Sequence, residues 1–108
     1  MAAQAVLTDV QRYLKVLNER GLPVAFGVMF GSQANGTADE WSDIDLVVVS
    51  PRYDEPYTRK EIDNLWITAA EVASRIEPIP CGEKQWAEDD SSAMIEIARR
   101  EGEIIHPA

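Results

Sequence analysis

The chain has 108 residues, 45% of them hydrophobic and 27% charged, which is enough to bury the core of one small domain and too little for a second one. Its formal net charge of −9 argues against general nucleic-acid binding, since a phosphate backbone needs clustered Lys and Arg. A single cysteine, Cys81, excludes an intrachain disulfide and suits a small buried side chain in a reducing cytosol. With no window of membrane-spanning apolar length and no basic N-terminal region, the expected setting is cytoplasmic, with no membrane contact.

Val6, Leu7, Val10, Tyr13, Leu14 and Leu17 recur at helical spacing and predict an N-terminal helix ending near Arg20. Gly21 follows as a left-handed cap, and Pro23 prevents continuation. Val24 to Phe30 reads as one buried strand, which Gly31-Ser32 ends abruptly. Gln33 to Ser42 is small and polar, a loop with room for one helical turn. Ile44 to Ser50 is a second strand, and Leu46-Val47-Val48-Val49 is too uniformly apolar to face water on either side.

Pro51 to Tyr57 is a loop. Thr58-Arg59-Lys60-Glu61 matches a capping box, and Ile62, Leu65, Trp66, Ala69, Ala73 and Ile76 supply the buried stripe of the helix it opens. Glu77 to Ile79 suggests a short strand that Pro78 and Pro80 confine to an edge. Asp89 to Ser92 are helix-start residues for a last helix carrying Met94, Ile95, Ile97 and Ala98. Gly102 ends it, and Glu103 to His106 add a short strand. With no repeat or linker, the order predicts one α/β domain over residues 1–108, a mixed sheet packed against helices.

Asp43 and Asp45 stand two apart at a strand start, so both carboxylates leave the same face, about 6.5–7 Å apart along the backbone. Paired carboxylates of this kind suit hard cations that share their oxygen ligands with phosphates. Alone, an Asp-x-Asp is more often two solvated turn residues, and a Gly-Ser is a common turn. Gly31-Ser32 does add a backbone that a phosphate can approach closely, with a hydroxyl beside free backbone donors.

Together the two halves form a specific pattern: Gly-Ser, ten residues, Asp-x-Asp. The segment Gly31-Ser32-Gln33-Ala34-Asn35-Gly36 through Ser42-Asp43-Ile44-Asp45-Leu46 resembles the signature of the minimal nucleotidyltransferase family, within the DNA polymerase β-like superfamily. The resemblance implies a magnesium-dependent domain that transfers a nucleoside monophosphate from ATP, or another nucleoside triphosphate, to a hydroxyl. Carried over by position, Gly31 and Ser32 would contact the triphosphate, and Asp43 and Asp45 would ligate Mg2+. The family's third carboxylate falls on Glu77, against the alternative of a solvent-facing edge residue; Asp63 and Glu83 compete less well.

Two departures accompany the match. Glutamate replaces the commoner aspartate at Glu77, and Gln33 and Asn35 stand where a basic residue often neutralises phosphate, the nearest in sequence being Arg20 and Arg52. Trp41 reads as a loop anchor before a base-stacking residue, and Trp66 and Met94 as core. Trp86 stays open between a loop anchor and a partner contact, and a catalytic role for His106 is not expected. Small members of this family are often antitoxins paired with a HEPN-type toxin, some of which they modify with AMP on a tyrosine. The alternatives are a noncatalytic module that neutralises its partner by binding, and a free-standing transferase for a small hydroxylated molecule. An apolar face could equally pair in a homodimer.

Overall fold

The computed structural model describes residues 4–35, 42–88 and 92–108. Trp41, and the helix-start residues Asp89 to Ser91, lie outside them, as do the side chains of Ser32 and Asn35.

The first helix, α1, runs Gln4–Glu19 and buries Val6, Val10, Tyr13, Leu14 and Leu17, the stripe that its spacing predicts. It ends as expected on Gly21, whose φ of 99° is left-handed, with Leu22 N donating to Leu17 O at 3.0 Å. Strand β1 follows at Phe26–Phe30, then a four-residue helix α2 at Ser32–Asn35 and strand β2 at Ile44–Val49. A 3₁₀ turn, Pro51–Asp54, is capped by Ser50. Helix α3, Arg59–Val72, opens on the predicted capping box, Thr58 and Glu61 each satisfying the other's backbone N–H. Strand β3 is Ile76–Cys81, α4 is Glu83–Glu88, α5 is Ala93–Glu101 and β4 is Glu103–Ile105.

The strands form one mixed sheet in the order β3-β2-β1-β4. β1 pairs antiparallel with β2 and β4, while β2 and β3 run parallel through the α3 crossover. The prolines of β3 fit their edge position because of the parallel register. Arg75 O accepts from Ile44 N, and Cys81 O accepts from Ser50 N, so the odd-numbered residues face β2. Pro78 and Pro80 therefore turn their missing N–H groups to the outer edge.

Helices cover both faces of the sheet. On one face α1 and α3 pack against Met29, Ile44, Leu46 and Val48; on the other, Ile95 and Ala98 of α5 pack against Val28, Phe30, Val47 and Val49. This double cover is why β2 reads as continuously apolar. Two core assignments are corrected. Trp66 is 47% exposed, because α3 buries the row Leu65, Thr68 and Ala69, and Trp66 lies one residue, about 100° of turn, off it. Met94 is also 47% exposed, since α5 presents Ile95 and Ala98 to the sheet. Helix α4 covers a stretch that carries no apolar stripe. Its Trp86 packs on the sheet, edge-on to Phe26 with ring centroids 5.9 Å apart, and lies under the Arg99 guanidinium. Among the described residues, no helix is long and apolar enough to cross a membrane.

Candidate functional site

Strand alternation puts Asp45 on the same face as Val47 and Val49, beside the end of β1, where Phe30 is its direct neighbour. On the other side the parallel register sets Asp45 opposite Glu77. Three strands thus deliver the end of β1 and two carboxylates to one place. Asp43, the residue before β2, is exposed.

Gly31 closes the turn that leaves β1. Its φ of 73° is left-handed, and a Cβ added there would stand 2.5 Å from Asp45 Oδ2. Two independent requirements therefore fall on one residue: a backbone conformation that side chains resist, and a side of the turn pressed against a carboxylate. Ser32 is the first residue of α2. The Gly-Ser and Asp-x-Asp halves of the sequence pattern, ten residues apart, are in contact through Gly31 and Asp45.

The electrostatics of the group are those of crowded acids. Partial burial pushes Asp45 above its usual carboxylate range, with the Asp43 charge adding to the effect; a hydrogen bond from Glu77 opposes it. Glu77 is raised as well, first by lost hydration, then by the charges of Asp43 and Asp45, and by its hydrogen bond to Asp45. In the hydrogen bond between them Glu77 is the donor and Asp45 the acceptor, which favours the proton on Glu77. Among the described residues, no three acidic, His or Cys side chains are drawn together tightly enough to hold a metal ion as they stand. The donor set nonetheless has the right chemistry. Asp45 and Glu77, lifted by burial and by the charge of Asp43, form with Asp43 a hard-oxygen donor set of the kind that suits a divalent cation.

A family model described as a nucleotidyltransferase domain matches residues 10–100, from α1 to the last turn of α5. The chain belongs to this nucleotidyltransferase family. Its fold is similar to the crystal structure of a candidate nucleotidyltransferase from Sulfolobus solfataricus, with a TM-score of 0.63 at 15% identity, covering 93% of this chain and 78% of that one. No curated protein matches the chain.

Within this nucleotidyltransferase domain, the fold reassigns one of the residues that depart from the family pattern. Gln33 does not stand in a phosphate-facing position. It is 4% exposed, and its Nε2 donates to Ser42 O at 3.3 Å and Asp43 O at 3.4 Å. Arg20 and Arg52, nearest in sequence, do not reach the carboxylates. They line a cavity of about 350 Å³ between α1, the 3₁₀ turn and α3, where they pair with Glu71 and Glu61. That cavity shares no residue with the acidic group, where the Gly-Ser to Asp-x-Asp spacing, the register and the charge crowding coincide. The basic residue that the fold does bring close is Arg75, whose Nη1 donates to Ser42 O at 3.1 Å. Sequence reasoning missed it. The only available signal was its place two residues before Glu77, which the parallel register converts into proximity to Asp43. Of the competing acids, Asp63 lies exposed on α3 and Glu83 exposed on α4, and neither is in the group.

Proposed function

We propose that the chain is a magnesium-dependent nucleotidyltransferase that moves AMP from ATP to a hydroxyl of a HEPN-type protein partner. The observation that carries this reading is the alignment of Asp45 with Glu77 across β2 and β3, with Gly31 pressed against Asp45. It joins both halves of the nucleotide-binding pattern to a third carboxylate.

Asp43, Asp45 and Glu77 would hold Mg2+, which when bound supplies positive charge at the triphosphate and the leaving pyrophosphate. Gly31 and Ser32 take the triphosphate at the turn between β1 and α2, which the missing Cβ of Gly31 lets close against Asp45. Glu77 takes the proton of the acceptor hydroxyl. The freed oxygen forms a bond to the α-phosphorus, the bond to the bridging oxygen breaks, and pyrophosphate leaves with that electron pair. Asp45, opposite Glu77 in the parallel register, would hold the cation beside it.

Among the described residues Asp43 is exposed, which favours an acceptor presented by a partner over a small molecule held in a closed pocket. Of the three departures that favour a noncatalytic module, Glu77, Gln33 and Asn35, the structural employment of Gln33 accounts for one. The test is label transfer from α-labelled ATP to the product of the adjacent gene, with magnesium. Label should appear on the partner and be lost with an Asp43→Ala, Asp45→Ala double variant. Equal labelling by that variant would sink the reading.

A further inference from the structure

Asp43 belongs to no strand or helix, and its carboxylate is exposed and repelled by two neighbours. Left to itself, such a side chain and the peptide bearing it would turn outward into water. Two side chains from distant parts of the chain act against this. Gln33, from α2, donates to the carbonyls of both Ser42 and Asp43, and Arg75, just before β3, donates to the same Ser42 carbonyl. The Ile44 N–H to Arg75 O bond, at 2.8 Å, fastens the next residue. Gln33 is almost fully buried, where an amide costs free energy that an apolar side chain of equal size would not. The core gains nothing from its polarity. What the amide does instead is fix the orientation of the Ser42–Asp43 peptide.

We propose that Gln33 and Arg75 are positioning residues that hold Asp43 beside Asp45 and Glu77 as one divalent-cation site, acting through the backbone of Ser42 and Asp43. The inference rests on the metal-binding reading above, and the experiment separates the two. Mn2+ is titrated onto the full chain, followed by electron paramagnetic resonance of free Mn2+, for wild type, Gln33→Met, Arg75→Met, Ser50→Ala and the Asp43→Ala, Asp45→Ala pair. Thermal unfolding is recorded for each.

Loss of a residue that orients a metal ligand typically costs about 10–100-fold in affinity, so Gln33→Met and Arg75→Met should each bind Mn2+ at least about tenfold more weakly. Ser50→Ala loosens a buried polar contact away from the site and should bind as wild type. Arg75 is only half-buried, so its variant carries the test if Gln33→Met fails to fold. Wild-type affinity in a cooperatively folding Arg75→Met variant overturns the positioning role, as does an equal loss in Ser50→Ala. A wild-type chain that binds Mn2+ no better than the double aspartate variant overturns the metal-binding reading, and the inference with it.

Discussion

The two ends of β2 treat polar groups in opposite ways. At its C-terminal end Ser50 is fully buried, and each of its groups has a partner within the fold. Its Oγ donates to Pro23 O at 2.9 Å and accepts from Arg52 N at 3.1 Å, while its N–H donates to Cys81 O at 3.0 Å. At the N-terminal end, five residues before Ser50, Asp45 and Glu77 meet each other, under the field of Asp43. One end uses polarity to complete the chain's own hydrogen bonding. The other gathers like charges that a bound cation would balance. Removing a polar group should therefore cost stability at the first end and activity at the second.

The largest effect is expected from Asp45→Asn, which keeps the shape and removes the charge. Charge stabilisation by metal ions in phosphoryl transfer is worth several kcal/mol, and roughly 1.4 kcal/mol is a tenfold rate, so transfer should fall about a thousandfold. The unfolding midpoint should hold or rise, because one of three mutually repelling charges is gone. A single-turnover assay with labelled ATP, paired with thermal unfolding, reads both. A variant that keeps its rate within tenfold would remove the contrast between the two ends.

Gly31→Ala should affect both quantities. The left-handed backbone alone costs about 1–2 kcal/mol for a residue with a Cβ. That Cβ would also stand 2.5 Å from Asp45 Oδ2 and must displace it. Gly21→Ala is the matched control, since Gly21 also has a positive φ but nothing within 4 Å of the added Cβ. Urea unfolding should show similar losses for the two, with transfer impaired only in Gly31→Ala. If both variants transfer normally, the contact between Gly31 and Asp45 has no part in the chemistry.

Ser50→Ala tests the other end of the strand. It deletes a cap and a buried hydrogen bond to Pro23 O, with an expected loss of about 1–2 kcal/mol in denaturant unfolding. The transfer rate at saturating ATP should match wild type. A fall in that rate would show that the two ends of β2 are coupled through the strand.

Much of this arrangement was legible in the sequence, and the gaps have physical causes. The stripes of α1 and the apolar run of β2 are burial patterns, which periodicity reports directly. The capping box of α3 and the cap at Gly21 are local hydrogen-bonding devices written in consecutive residues. Helix α4 was not legible because its support is remote. The Asp54 carboxylate accepts from Lys84 N and Gln85 N at its first turn, thirty residues away in sequence, and Trp86 is its one large apolar side chain. Trp66 and Met94 were misread because a large apolar residue at the margin of a stripe counts as core in a pattern, although the helix can rest on smaller neighbours. In the site, the spacing from Gly31 to Asp45 was visible, but the parallel register of Asp45 with Glu77 was not. The same register brings Arg75 to Ser42, and burial turns Gln33 from a missing cation into a tether. Pairing between strands is set by the whole sheet, and no local pattern encodes it.

The smallest effect, and the most specific, is in the pH dependence of stability. Asp45 and Glu77 are both raised above their ordinary values of 3.8 and 4.5, so the folded chain holds these protons more tightly than the unfolded one. Their contribution is therefore fully present below the ordinary carboxylate range, and is lost as pH rises through the raised folded values. Glu77→Gln keeps a hydrogen-bond donor toward Asp45 and cannot ionise. Urea unfolding of wild type and this variant, in chelator, should show the variant gaining relative stability as pH climbs from the carboxylate range toward neutrality. Added Mn2+ should shrink the difference from the wild-type side, because a bound cation replaces the proton as the counter-charge. The opposite slope, with wild type gaining on the variant as pH rises, would mean that a cationic group of the protein already balances Glu77. The two ends of β2 would then be alike after all.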